Sequence, residues 1–162
     1  MVAIWLFVNL MIIVGMVAWS LLHQTDGLFL QFATVFSQFA VILILLNLNM
    51  YFIFLIIRKS KKRKVKLTLA KISRKVMKVH VPIAISAASL IILHIIFIVF
   101  SIPFDLTKPK LLTGLLAAIG LIFTLIAGYL RSKKASGTRR KSHILTAFVF
   151  FLMALLHIFS TY

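Results

Sequence analysis

HVPIAISAASLIILH, residues 80–94, and HILTAFVFFLMALLH, residues 143–157, decide how this chain is read. Each is an uncharged, largely apolar stretch that begins and ends in histidine. The step is the same in both, fourteen residues from His80 to His94 and fourteen from His143 to His157. Fourteen residues make four turns at the ~3.5 residues per turn of packed helices, and fall only about 40° short of four turns in a straight helix. Both imidazoles of a pair therefore share one helix face, about 21 Å apart at ~1.5 Å of rise per residue.

The rest of the chain sets these stretches in a membrane. Of 162 residues 62% are hydrophobic, and 19 Lys/Arg stand against two acids, Asp26 and Asp105. A soluble chain of this size would give each helix a charged half. Instead, apolar runs long enough for the ~30 Å hydrocarbon core, roughly 20 residues each, recur along the sequence. They predict an all-α integral membrane protein, one domain over residues 1–162, with a bundle of five transmembrane helices at about residues 2–22, 28–57, 80–102, 111–130 and 143–162. The first run has no basic segment before it and no small-residue cleavage site, so it reads as a span and not a signal peptide. The absence of cysteine excludes disulfides, iron–sulfur ligation and covalent haem attachment.

Charge placement gives direction. Residues 58–78 hold eleven Lys/Arg and residues 131–141 six more, with no acid in either. The connections at residues 23–27 and 103–110 hold both aspartates and only Lys108 and Lys110. By the positive-inside rule the basic loops are cytoplasmic, the N-terminus inside and the C-terminus outside. The third and fifth spans then both run outward, which sets His80 level with His143 and His94 level with His157. Confinement of the basic residues to these loops assigns them to topology and argues against a nucleic-acid partner. Among the lysines, Leu69, Ile72, Val76 and Val79 recur at helical spacing and predict an amphipathic helix on the inner membrane surface, leading into the third span.

The faces between the histidines are mostly small. One reads His80, Ala84, Ala87, Ile91, His94, and the other His143, Ala147, Phe150, Ala154, His157. Alanine fills three of the four positions one turn from a histidine, Ile91 being the exception, which leaves room for a flat ring. Phe150 falls midway, at the level of Ala87, where an aromatic shortens the insulating path between two centres. A lone histidine at a boundary, as His80 or His143, is ordinarily an interfacial residue. His94 and His157 lie within apolar stretches, where an ionisable side chain is costly and by default functional. Small residues also serve plain helix packing, which is account enough for Gly114, Ala118 and Gly128. His23 has no partner at its depth and reads as a loop residue.

Zinc takes three or four protein ligands in one shell. Two imidazoles per level, with no carboxylate, instead match the two axial positions of haem iron. The expected cofactors are two b-type haems, the inner on His80 and His143, the outer on His94 and His157. By depth, Lys75, Lys78, Arg139 and Arg140 are expected near the propionates of the inner haem, and Lys108, Lys110, Ser160 or Tyr162 near those of the outer. With both axial positions filled, the irons offer no site for substrate, so no catalytic residue is expected and electron transfer is favoured.

This pattern resembles the ferric reductase-like transmembrane domain of NADPH oxidases and ferric reductases, and in particular its stand-alone bacterial members. In that family two histidines on each of the third and fifth spans hold two b haems. The resemblance implies that His80, His143, His94 and His157 do so here, in a bacterial plasma membrane. The family usually has a sixth span, whereas this sequence stops five residues after His157. It also shows no glycine-rich nucleotide loop after a strand, so no dehydrogenase domain like that of the oxidases is expected in these residues. Cytochrome b of quinol-oxidising complexes pairs histidines on parallel helices in a similar way, but its quinone-site segments have no counterpart here.

The expectation is transmembrane electron transfer by a haem-bearing subunit of an oxidoreductase. The donor would be a separate flavoprotein, reduced flavin or quinol, and the acceptor an extracytoplasmic flavoprotein, ferric iron or oxygen. The competing expectation is a haem-free small membrane protein, such as a transporter component, assembly factor or scaffold, in keeping with the polybasic inner loop.

Overall fold

The computed structural model of the chain describes residues 2–23 and 27–160, and Asp26 and Tyr162 fall outside them. The described residues form five helices: α1 Val2–Leu22, α2 Leu28–Lys59, α3 Arg63–Ser101, α4 Pro109–Lys133 and α5 Gly137–Phe159. The protein is all-α, and α2, α3, α4 and α5 are each long and apolar enough to cross a membrane; the apolar stretch Phe7–Leu22 of α1 is shorter. Large apolar side chains such as Phe100, Phe123 and Val99 are exposed, while alanine is the commonest buried residue among those described. That inverts the pattern of a water-soluble protein and suits lipid contact, with small residues where helices meet. This is a multi-pass membrane protein.

The chain forms two compact units, Met1–Ser101 and Ile102–Tyr162. In the first, α2 and α3 make a long antiparallel hairpin, with α1 touching α2 more lightly. Gly27 precedes α2 at φ 113°, a conformation that residues with a Cβ rarely adopt. Two contacts set the hairpin register: the His94 ring meets the carbonyl of Ala33, and the Asn47 amide meets the carbonyl of His80. The step is fourteen residues on both helices, in opposite directions. Midway, Ala40 lies level with Ala87, and both are buried. Two side chains that end at Cβ let the helix axes approach closely there. Beyond His94, Phe97 packs among Phe29, Phe32 and Phe36 with ring centroids 5.6–5.9 Å apart.

The basic segment is not a separate surface helix. It forms the first turns of α3, which runs unbroken for 39 residues with Pro82 inside it. Pro82 lacks an N–H and so leaves the carbonyl of Lys78 without its helical donor, yet the helix continues because α2 supports it along one side. Leu69 and Val76 are half-buried and Ser73 is buried, whereas Ile72 and Val79 stay exposed. The expected apolar face is thus split. At ~1.5 Å per residue, α3 is about 58 Å long, nearly twice the hydrocarbon thickness, so its basic first third reaches beyond the core.

In the second unit α4 and α5 form a shorter hairpin. A turn leads into it: Thr107 donates to Asp105 Oδ1 from its hydroxyl (2.7 Å) and its backbone N–H (2.9 Å). Those two bonds, the hydroxyl first, hold the Asp105 carboxyl below its usual range. Pro109 occupies the first turn of α4, where an N–H is not needed. Ser136 caps α5 by accepting from the backbone N–H of Arg139 at 3.2 Å.

The two helices also cap each other. Lys110 Nζ, from the first turn of α4, donates to the carbonyls of Ile158 (3.1 Å) and Ser160 (2.9 Å) at the end of α5. Arg139, from the first turn of α5, donates to the carbonyl of Leu130 near the end of α4 at 2.7 Å. Lys110 satisfies orphan carbonyls, Arg139 adds a second donor to a carbonyl that the Lys134 N–H already reaches, and each cation faces the negative end of its neighbour's dipole. Replacing Lys110 by methionine is expected to cost up to about 2 kcal/mol. In detergent this would show as an earlier unfolding transition, with faster amide exchange confined to the last turn of α5. An unchanged transition and unchanged exchange would remove Lys110 as a cap.

Candidate histidine ladders

Each histidine pair lies on one helix, His80 and His94 on α3, His143 and His157 on α5, and all four are half-buried. Three of the rings are fixed by the same device. His94 Nδ1 lies 2.8 Å from the carbonyl oxygen of Ala33, His157 Nδ1 3.0 Å from that of Lys110, and His143 Nδ1 3.3 Å from that of Thr124. A carbonyl oxygen only accepts, so Nδ1 is the donor in each case. In a neutral imidazole the lone pair then resides on Nε2. An Nδ1–H given to a backbone carbonyl, with Nε2 as the ligating nitrogen, is a common state of metal-bound histidine.

The fourth position is built differently. His80 stands level with Asn47, whose Nδ2 donates to the backbone carbonyl of His80 at 3.2 Å. Asn47 Oδ1 is buried with no hydrogen-bond partner among the described residues.

Register repeats across the two hairpins. In the first, Ala33 and Asn47 of α2 meet His94 and His80; in the second, Lys110 and Thr124 of α4 meet His157 and His143. Both helices that precede a ladder are marked at fourteen-residue intervals, as the ladders are. No sequence repeat marks these positions, because at three of the four the contact is a backbone carbonyl and the four side chains share no type.

On α4 two glycines lie under the rings. A Cβ on Gly114 would come within 2.9 Å of His157 Cε1, and one on Gly128 within 3.3 Å of His143 Cε1. Both glycines thus pack directly against a histidine ring. Between them, a Cβ on Gly120 would come within 3.2 Å of Phe150 Cα. Phe150, expected from the sequence to lie between two haem centres, packs on α4 at Gly120 and is buried there. Ala87 is buried in the α2–α3 hairpin, while Ala84, Ile91, Ala147 and Ala154 are half-buried.

The cations expected near propionates divide into two groups. Lys110 and Arg139 hold helix ends, and the Ser160 hydroxyl bonds to Thr113 and to the carbonyl of His157. Lys75, Lys78 and Lys108 are exposed, and Arg140 is half-buried. His23 follows α1, where its ring bonds to the carbonyl of Trp19 at 3.1 Å and stacks on the Trp19 ring, in keeping with a local role.

Among the described residues no group of three or more His, Cys, Asp or Glu side chains is placed to hold a metal ion. No protein-family model, curated protein or solved structure matches the chain.

Proposed function

We propose that this protein is a diheme b-type membrane subunit. It would carry electrons from a cytoplasmic donor or the quinol pool to an extracytoplasmic acceptor. Its five helices would all span the membrane, with the N-terminus in the cytoplasm. The residues present fit such a cofactor: His94, His143 and His157 each give Nδ1–H to a helix carbonyl, and Nε2 would then be the coordinating nitrogen. That shared geometry is the observation that carries the proposal. Pairing His80 with His143, and His94 with His157, follows from the topology set by the basic loops and from the resemblance to ferric reductase-like domains. Bound haem iron would supply one-electron chemistry at each level. The chain's own residues would hold the rings, set their tautomer and exclude water.

A reduced-minus-oxidised spectrum of the purified chain, expressed with ample haem, tests this reading. A low-spin b-type band supports it, and the absence of any such band overturns it. Direction has its own check, because the chain contains no cysteine. An Ala135→Cys variant is expected to react with an impermeant thiol reagent only from the cytoplasmic side, and Leu106→Cys only from outside. Labelling in the opposite sense would reverse the orientation.

A second reading has a specific observation behind it. Donation from a ring to a backbone carbonyl also joins helices without any cofactor, and no larger ligand cluster occurs among the described residues. Under this reading the protein is a haem-free membrane protein whose histidines are interhelical fasteners. Replacing all four paired histidines would then leave its optical spectrum unchanged and lower only its stability.

A further inference from the structure

The α4 helix does more than stand beside α5. In a helix the carbonyl of residue i−4 lies against the N–H of residue i, so the Cβ of residue i crowds the approach to that oxygen. Residue i is Gly114 for the Lys110 carbonyl and Gly128 for the Thr124 carbonyl. Those are the two carbonyls that His157 and His143 reach. A Cβ on the same glycines would collide with the His157 ring in one case and press on the His143 ring in the other. On α2 the corresponding residue, four after Ala33, is Ser37, which is also small and turns its hydroxyl back to the carbonyl of Thr34 at 2.8 Å. Four after Asn47 stands Tyr51, and at that level it is the asparagine side chain that meets α3.

We propose that Gly114 and Gly128 are positioning residues. Each opens one helix carbonyl to one imidazole, so that α4 fixes both rings of the α5 ladder as Nδ1–H tautomers presenting Nε2. Fixing the tautomer is a property of the protein alone. Only the assignment of haem as what Nε2 binds rests on the proposed function.

The test begins with haem-free protein labelled with 15N-histidine, whose ring nitrogen shifts separate the two tautomers. Single His→Gln variants assign the signals. His143 and His157 are expected as Nδ1–H tautomers. Gly114→Ala is expected to move the His157 signals and spare those of His143, and Gly128→Ala the reverse. The Gly114 change should be the larger, since its Cβ approach is 2.9 Å against 3.3 Å. Gly120→Ala, which crowds the Phe150 backbone between the rungs, serves as a packing control and should leave both ring tautomers in place. On the haem-loaded chain, each glycine variant is expected to weaken retention of one haem by roughly tenfold or more.

Nε2–H tautomers in the parent chain would overturn the proposal, and that result needs no variant to fold. So would glycine variants that shift neither ring. Nδ1–H tautomers that respond to the glycines in a chain that binds no haem would uphold the positioning role and remove the haem assignment instead.

Discussion

Purified His94→Ala protein is expected to hold about one haem per chain where the parent holds about two. A b-type haem has no covalent tether, so loss of one of two axial imidazoles releases it or leaves it loosely bound and spectroscopically altered. The other level should be retained, because His80 is four turns away on the same helix, about 21 Å along its axis. The hairpin itself should survive. The bond from His94 to the Ala33 carbonyl is one interhelical contact, worth about 0.6 to 2 kcal/mol in a membrane. The aromatic cluster around Phe97 and the Ala40–Ala87 level still hold α2 against α3. His94→Gln separates ligand from fastener, since glutamine can donate to the same carbonyl but is a poor axial ligand. A haem count unchanged in both variants would show that His94 is no ligand.

The second large effect concerns the hairpin and needs no cofactor. Ala40→Leu is expected to destabilise the α2–α3 pair by about 1 to 3 kcal/mol through overpacking. Ala40 is 1% exposed and its level partner Ala87 3%, so the added carbons have no open space to enter. Displacing the helices at that level would strain the register at Ala33 and Asn47, seven residues to either side. A denaturant titration in detergent should register the loss, while Val35→Leu, at an exposed position of the same helix, should change little. Equal stability of Ala40→Leu and the parent would mean that the close approach at this level does not hold the hairpin.

The helices were legible in the sequence because lipid imposes one rule: backbone groups must be satisfied within the segment, so long apolar runs become helices. Their ends were less so. Residues 63–78 read as a separate amphipathic element because lysine is costly in lipid, yet α3 continues straight from Arg63 through Pro82. The difference is made by α2, which packs along α3 and favours continuing the helix over turning it along the membrane surface.

The histidines stood out by spacing alone. Their carbonyl partners did not, because a backbone oxygen leaves no mark in a sequence. Ala33, Lys110 and Thr124 have nothing in common as side chains. One signal was present nonetheless. Gly114 and Gly128 are fourteen residues apart, the interval of the ladder they face. Phe150 shows the converse: its level was legible, but the surface it packs on, the notch at Gly120, follows from the α4–α5 register alone.

Electron passage across a sealed bilayer tests the central claim most directly. Haem-loaded protein is reconstituted into liposomes that enclose ferricyanide, and dithionite is added outside. Vesicles with the parent chain should bleach the enclosed ferricyanide well ahead of protein-free vesicles, and those with His94→Ala should lose that advantage. Bleaching no faster than in protein-free vesicles, with haem confirmed in the protein, would contradict a transmembrane electron path. Rapid bleaching that survives His94→Ala would contradict a path that depends on the His94 level.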